Sequence, residues 1–370
     1  MPVKIKSICV YAIPLPYKTL GHGRVSTPEI TLHDTVVCIE SDDGLVGYGE
    51  SCPLNPTYLD ATTGGLRAAL EFLCPPLIGY NPHETGVINT LMDRTVRGHE
   101  AAKSAIDLAC WDLLGKFTGL PVKTLLGGAE VDGARLYDSI PMDTPQAMIN
   151  TIEEKRKQGI SVFQVKLGQG AEPDIERMRA IAEVLKPGER MICDANRGWT
   201  LEDARRVVAA AAQLPTELGL LIEQPCATYE ECVSIRKVCD RPFVLDEVID
   251  DTRDLVRASA DDALDAVVIK LSHVGGLTKA HEMARLAMRL GLRMRIEDTV
   301  GAEIVRAAVA HLAVTVPERS LLAAYPHPAA VSLGKSGVVA SNGILTCSVE
   351  PGLSFEPDMK ILGEPIQRYS

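Results

Sequence analysis

Three features of the sequence predict an α/β protein in which an α+β domain precedes a closed (β/α) barrel. The first 50 residues show strand patterns, and helical patterns follow them without mixing. From about residue 134, eight short apolar runs alternate with longer amphipathic stretches. The chain lacks the glycine-rich phosphate turn that usually marks an open doubly wound sheet, so the eight repeats favour a barrel.

The N-terminal domain is predicted to hold a strand hairpin or meander followed by a helix. Residues 5–11 alternate, and residues 34–40 lead through a turn into residues 46–50. Apolar side chains within residues 106–114 then recur at helical spacing. We expect this α+β capping domain to occupy residues 1–128.

The barrel is predicted to span residues 129–331. Its strand candidates are residues 134–137, 162–166, 190–194, 219–223, 243–246, 266–270, 293–298 and 321–325. Most are followed by an amphipathic stretch, such as residues 201–214 or 277–290, as parallel strands require. We expect the glycine-punctuated segment 332–370 to return to the capping domain.

Bulk properties exclude several classes of protein. A formal net charge of -11 argues against nucleic-acid binding, which needs concentrated lysine and arginine. The first residues lack the apolar stretch of a signal peptide, and no run reaches the roughly 20 apolar residues that span a bilayer. We therefore expect a cytoplasmic protein with no membrane partner, and we expect a homo-oligomer.

The last residues of six successive strand candidates are all ionisable: Lys166, Asp194, Glu223, Asp246, Lys270 and Asp298. In a (β/α) barrel, working groups lie where strands end and the following loops begin. A single charge at a strand end has an ordinary explanation as a solvated terminus. Six in succession, 23 to 29 positions apart, indicate one shared site at the barrel mouth.

The order of residue types predicts metal-assisted acid–base chemistry. Three carboxylates on adjacent strands, Asp194, Glu223 and Asp246, would repel one another without a hard cation, and oxygen ligands suggest Mg²⁺. Lys166 and Lys270 flank this trio, and a lysine near a divalent cation is expected to have a lowered pKa and to act as a base. The alternative is that each lysine only neutralises its neighbouring carboxylates.

These residues, in this order, resemble the muconate lactonizing enzyme subgroup of the enolase superfamily across nearly the whole chain. The segment Arg97-Gly98-His99 through Lys116 shares in the likeness. The runs Ile222-Glu223-Gln224-Pro225-Cys226 and Ile296-Glu297-Asp298-Thr299 are similar to those of cis-3-hydroxy-L-proline dehydratases, with proline betaine 2-epimerases as near relatives.

The resemblance implies a modified (β/α)7β barrel and a lyase that abstracts the α-proton of a proline-like carboxylate through a Mg²⁺-stabilised ene-diolate. Asp194, Glu223 and Asp246 would bind the metal, and Lys166 and Lys270 would be the acid–base pair. The expected substrate-binding residues are Asp298, Tyr58, Gln164 and Glu297, with Asn196 and Glu247 in support.

Two departures from the subgroup bear on the substrate. Gln164 stands where the subgroup usually has the first lysine of a Lys-x-Lys motif, and residues 300–303 replace a Trp-Gly-Gly-Asp run, with Val300 in place of the tryptophan and Glu303 in place of the aspartate. Loss of the indole removes an aromatic face for a quaternary ammonium, an interaction of about 0.5–2 kcal/mol. The alternatives are 2-epimerisation or racemisation of proline, hydroxyproline or proline betaine, an activity on acyclic acids, and a non-catalytic barrel.

Overall fold

A computed structural model describes residues 3–17, 30–325 and 331–370 of the chain. The N-terminal region contains the strands β1 (Ile5–Tyr17), β2 (Ile30–Ser41) and β3 (Val46–Ser51). They are followed by α1 (Thr63–Leu73), a 3-10 helix (Pro75–Leu77), α2 (Thr85–Thr95), α3 (Glu100–Thr118) and α4 (Val122–Leu125).

The central region alternates strands and helices. Its strands are β4 (Ala134–Arg135), β5 (Asp138–Ile140), β6 (Val162–Lys166), β7 (Arg190–Asp194), β8 (Gly219–Glu223), β9 (Phe243–Leu245), β10 (Ala266–Lys270), β11 (Arg293–Glu297) and β12 (Leu321–Ala324). Its helices are α5 (Pro145–Lys157), α6 (Ala171–Val184), α7 (Leu201–Ala212), α8 (Tyr229–Arg236), α9 (Thr252–Ala260), α10 (Leu271–Val274), α11 (Leu277–Arg289) and α12 (Glu303–Ala313). The C-terminal segment contains β13 (Gly334–Ser336), β14 (Val339–Ser341), β15 (Ile344–Thr346), β16 (Phe355–Pro357), α13 (Met359–Leu362) and β17 (Gln367–Tyr369).

The N-terminal sheet is antiparallel, in the order β17-β1-β2-β3, so the last strand of the chain pairs with the first. Its edge strand β3 lies directly on helix α3. A Cβ added at Gly49 would meet the carbonyl oxygen of Ala105 at 1.8 Å, so only a glycine permits this approach.

The barrel sheet runs from β5 to β12 in sequence order, and its neighbouring strands pair in parallel. A bridge between Leu136 and Ala324 joins its two edges. Strands β5 to β11 are each followed by a helix. These features confirm the predicted (β/α)7β barrel with an α+β cap.

The register of the barrel places several ionisable strand ends at one level. Lys166 of β6 pairs with Asp194 of β7, and Asp194 pairs with Glu223 of β8. On the other side of the barrel, Lys270 of β10 pairs with Glu297 of β11. The parallel register therefore brings residues that are distant in sequence to one mouth.

Three strand predictions need correction. Residues 134–137 do not form the first barrel strand, because Ala134 and Arg135 pair antiparallel with β15 and the barrel strand is β5. Leu136 bridges to β12, but the first strand of the barrel sheet is β5, which carries the polar Asp138 and Ser139. Strands β9 and β11 end at Leu245 and Glu297, so Asp246 and Asp298 begin the following loops.

The cap is fastened to the barrel by a buried carboxylate. Glu50 of β3 accepts hydrogen bonds from the backbone N–H groups of Ala302, Ile304 (3.1 Å) and Val305 (3.0 Å), which lie at the start of α12. These are unpaired donors at a helix N-terminus, where a carboxylate is favourable. Within the described part of the chain, no helix is both long and apolar enough to cross a membrane.

Candidate active site

One half of the site lies at the ends of β6, β7 and β8. The Nζ atom of Lys166 is 2.6 Å from Oδ2 of Asp194, and both side chains are buried. Gln164, two residues before this lysine and therefore on the same face of β6, donates to Asp194 Oδ2 (2.9 Å) and to Glu223 Oε1 (3.1 Å). This amide thus ties two of the predicted metal ligands together.

The other half lies at the ends of β9 and β10. The ammonium group of Lys270 contacts both carboxylate oxygens of Asp246 and lies 3.6 Å from Oε1 of Glu297. The two predicted acid–base lysines therefore stand on either side of the three carboxylates, Lys166 beside the first and Lys270 beside the third.

A buried arginine crosses the barrel below this mouth. Arg295 of β11 is fully buried and forms a two-pronged ion pair with Glu223, with Nη1 2.5 Å from Oε2 and Nη2 2.7 Å from Oε1. Its Nε donates to Glu297 Oε2 at 2.9 Å. The Glu297 carboxylate also accepts a hydrogen bond from the hydroxyl of Tyr137.

Asp298 and Tyr58 lie beside Lys270. The carboxylate of Asp298 accepts from the hydroxyl and the backbone N–H of Ser272, the latter at 3.0 Å. The ring of Tyr58, in the capping loop after β3, has its centroid 5.4 Å from the Nζ of Lys270. Arg197 donates to the carbonyl oxygen of Tyr58 at 2.8 Å and so joins this loop to the barrel.

The loops that carry the carboxylates are strained. Asn196, Arg197 and Gln224 have left-handed backbones with φ of 42°, 66° and 35°, which is uncommon outside glycine and clusters at functional sites. Asn196 donates to Glu247 at 3.2 Å. Within the described chain, Oδ1 of Asn196 and Oε2 of Glu247 are buried without a hydrogen-bond partner, so the mouth retains unused acceptors.

Acidic groups outnumber cations around the mouth. The buried carboxylates are Asp194, Glu223, Asp246, Glu247, Glu297 and Asp298, and the buried cations are Lys166, Lys270 and Arg295. Burial raises the pKa of Glu223 to about 8, with Asp194 and Asp246 adding to the rise and Arg295 opposing it. Burial and the charge of Asp246 likewise raise the pKa of Glu247 to about 7. This excess of negative charge is the environment that a bound cation would relieve.

Lys270 and Glu297 behave as a charged pair. Burial lowers the pKa of Lys270, but Asp246, Tyr58 and Glu297 raise it more, so it lies well above the ordinary value. The cause is that the ammonium contacts Asp246 in this structure; the lowering predicted for a lysine beside a divalent cation concerns the metal-bound site and stays a prediction. Burial raises the pKa of Glu297, but Arg295 and Lys270 outweigh it and bring it down to about 2.

In this conformation the described residues contain no group of three or more acidic, histidine or cysteine side chains arranged to hold a metal ion. In this conformation each of the three predicted ligands is paired with a cation, Asp194 with Lys166, Asp246 with Lys270 and Glu223 with Arg295. A cleft of about 660 Å³ opens between the capping loop, the start of α3 and the loops after β9 and β10; Ser272 and Thr299 line it, but neither lysine of the pair does.

The sequence did not identify Arg295, Tyr137 or Ser272 as parts of the site. One signal was available for Arg295, because a charged residue inside an otherwise buried barrel strand needs an internal partner.

Residues 300–303, which replace the Trp-Gly-Gly-Asp run of the relatives, include side chains that pack inside the protein. Val300 is buried, and Glu303 accepts a hydrogen bond from the backbone of Leu333 at 2.8 Å.

A (β/α)7β barrel with two lysines and three carboxylates at its mouth, covered by an α+β domain, defines an enzyme of the enolase superfamily. Residues 147–361 match the family model described as enolase C-terminal domain-like. Residues 25–127 match the mandelate racemase/muconate lactonizing enzyme N-terminal domain. The chain therefore belongs to the mandelate racemase/muconate lactonizing enzyme family, which confirms the resemblance.

Two curated relatives cover nearly all of the chain. It is 46% identical to cis-3-hydroxy-L-proline dehydratase from Roseibium aggregatum, with 100% of both proteins covered. It is 30% identical to a hydrophobic dipeptide epimerase from Enterococcus faecalis, over 96% of this chain and 95% of the relative.

Solved structures show the same fold. A mandelate racemase/muconate lactonizing enzyme from Roseovarius nubinhibens ISM has a TM-score of 0.91 and 35% identity, covering 100% of this chain and 99% of the other. A member of the enolase superfamily from the same organism, complexed with magnesium, has a TM-score of 0.93 and 33% identity, covering 100% of both chains.

Proposed function

We propose that this enzyme abstracts the α-proton of a proline-like amino acid and dehydrates cis-3-hydroxy-L-proline to a pyrroline-2-carboxylate. The observation that carries the proposal is the pair of buried lysines, Lys166 and Lys270, on opposite sides of three carboxylates at one barrel mouth. Full-length similarity to a dehydratase of this amino acid supports the choice of substrate.

Asp194, Glu223 and Asp246 would hold Mg²⁺, and the donor set fits this ion. All their side-chain donors are oxygen, as hard cations prefer. Burial raises the pKa of Glu223, and the charges of Asp194 and Asp246 add to that rise. When bound, Mg²⁺ would draw negative charge from the substrate carboxylate and make its α-proton easier to remove. The ammonium groups of Lys166 and Lys270 now occupy oxygens of the same set, so the lysines would be released towards the substrate.

The lysine pair accounts for both proton transfers. One neutral amine would take the α-proton, and the electron pair of the broken C2–H bond would form the C2–C3 double bond as the C3–O bond breaks. The opposite ammonium donates a proton to the departing hydroxyl, which leaves as water. The product enamine then shifts a proton from nitrogen to C3 and becomes the pyrroline carboxylate.

The proposed acid–base pair suits the stereochemistry of this substrate. In the cis isomer the α-proton and the 3-hydroxyl lie on opposite faces of the ring, which two facing lysines can serve together. The carboxylate of Asp298 accepts a hydrogen bond from Ser272, two residues after Lys270, and would accept one from the ring ammonium of the substrate. The ring of Tyr58 would cover the pocket. Burial raises the pKa of Asp298 to about 6, and a bound ammonium would favour its ionised form.

The test is turnover in D₂O with MgCl₂, followed by proton NMR. We expect cis-3-hydroxy-L-proline to lose its hydroxyl and yield the pyrroline carboxylate, and a chelator to stop the reaction. The matched control is trans-3-hydroxy-L-proline, in which the α-proton and hydroxyl share one face, so elimination should be much slower. Equal rates for the two isomers, or no reaction with the cis isomer, would contradict the proposal.

The second candidate is 2-epimerisation, in which the same lysines exchange protons on opposite faces. It is favoured by the similarity to a dipeptide epimerase. Deuterium at Cα with the hydroxyl retained, in the same NMR experiment, would identify this activity in place of dehydration.

A further inference from the structure

Glu223 differs from the other predicted metal ligands in the cation that it contacts. Asp194 and Asp246 pair with lysines of neighbouring strands, whereas Glu223 of β8 pairs with Arg295 of β11, from across the barrel. The guanidinium is planar and binds both oxygens of the carboxylate at once, which fixes the orientation of the group as a single ammonium could not.

The arginine is itself held in place from two sides. Its Nε donates to Glu297 at 2.9 Å, and its guanidinium carbon lies 4.6 Å from the centre of the Tyr137 ring. Tyr137 donates its hydroxyl to the same Glu297. All three side chains are buried, so this cluster is a fixed support below the site.

The hydrogen bonds leave Glu223 one position for a further ligand. A carboxylate offers about four lone-pair positions. Gln164 and Arg295 Nη2 donate to Oε1, and Arg295 Nη1 donates to Oε2. Among the described residues, these donors leave one lone pair on Oε2, directed by the fork of the arginine.

We infer that Arg295, held by Glu297, is a positioning residue that orients Glu223 for metal binding. The inference rests on the proposed function, in which Glu223 is a Mg²⁺ ligand. Glu297 is thereby assigned to the support of the site, in place of the substrate contact predicted from its motif. Partners of metal ligands typically change metal affinity about 10–100-fold when replaced.

The experiment titrates Mg²⁺ into metal-free protein by calorimetry. Arg295→Lys keeps the positive charge but loses the two-pronged contact with Glu223. Glu297→Asp keeps the negative charge but shortens the side chain, which moves the carboxylate away from Nε of Arg295. We expect both variants to bind Mg²⁺ about 10–100-fold more weakly than wild type, and their turnover to recover as MgCl₂ is raised. Circular dichroism establishes that each is folded, and Glu297→Asp decides if Arg295→Lys does not fold.

The matched control is Arg241→Lys. Arg241 is equally buried, but it donates to the backbone carbonyls of Ala211 (2.8 Å) and Pro215 (3.1 Å), far from the mouth. We expect its Mg²⁺ affinity to equal that of wild type. If a folded Arg295→Lys or Glu297→Asp variant binds Mg²⁺ as tightly as wild type does, the inference is overturned. In that case, turnover by the wild-type protein would still support the proposed function. Wild-type protein that neither binds Mg²⁺ nor reacts overturns both.

Discussion

Replacing Lys270 by methionine tests the acid–base pair most directly. Methionine keeps most of the length of the side chain but removes the amine that contacts Asp246. General acid–base catalysis contributes about 10²–10⁴-fold to a rate, which is about 3–5 kcal/mol at 1.36 kcal/mol per tenfold. Lys270 is buried, so water has little access to take over its role. We therefore expect the rate of dehydration to fall by about 10²–10⁴-fold.

The assay compares Lys270→Met with Lys166→Met in D₂O. Only one lysine removes the α-proton, so the two variants should differ in kind. The variant that lacks the base should show neither α-deuteration nor elimination. The variant that lacks the acid should still exchange the α-proton but lose the elimination. This asymmetry would also establish which lysine is the base.

The stability of the metal-free variant provides an internal check. Breaking a buried ion pair on one side leaves an uncompensated charge, which costs about 3–5 kcal/mol, so metal-free Lys270→Met should unfold more easily than wild type. Added Mg²⁺ should restore part of this loss. Wild-type turnover by either methionine variant, or α-deuteration retained by both, would refute the acid–base assignment.

Three further predictions concern stability and the capping loop. Burial lowers the pKa of His311 to about 3, below the ordinary value of about 6.5 that applies in the unfolded chain. The free energy of unfolding is therefore undiminished above pH 6.5 and decreases as pH falls, by about 2.7 kcal/mol at pH 4.5. His311→Asn should flatten the pH dependence of urea unfolding, and pH profiles that run parallel for variant and wild type would contradict this. Gly49→Ala should cost at least about 1–3 kcal/mol by overpacking, whereas Gly64→Ala, where an added Cβ has open space, should not lower the melting temperature. Arg197→Gln removes the hydrogen bond to the carbonyl of Tyr58 and should raise KM more than it lowers kcat; unchanged KM would exclude a role in closing the loop.

Most strand ends were predictable because the pattern that defines them is local. Apolar runs of four to six residues end at charged side chains, and parallel register then carries Lys166, Asp194 and Glu223 to the same level. The error in the first barrel strand arose because one apolar run contributes to two sheets. Residues 134–137 looked like a barrel strand, but Ala134 and Arg135 pair with the C-terminal segment, about 210 positions later in the chain.

The sequence by itself determined the barrel, the cap and the order of lysines and carboxylates around the mouth. It did not determine which cation each carboxylate contacts. Arg295 reaches Glu223 across 72 positions and between strands that are not neighbours in the sheet. Closure of the barrel brings these strands face to face, and in a buried interior each charge must find a partner there. That choice depends on three-dimensional distance, which a local sequence pattern does not encode.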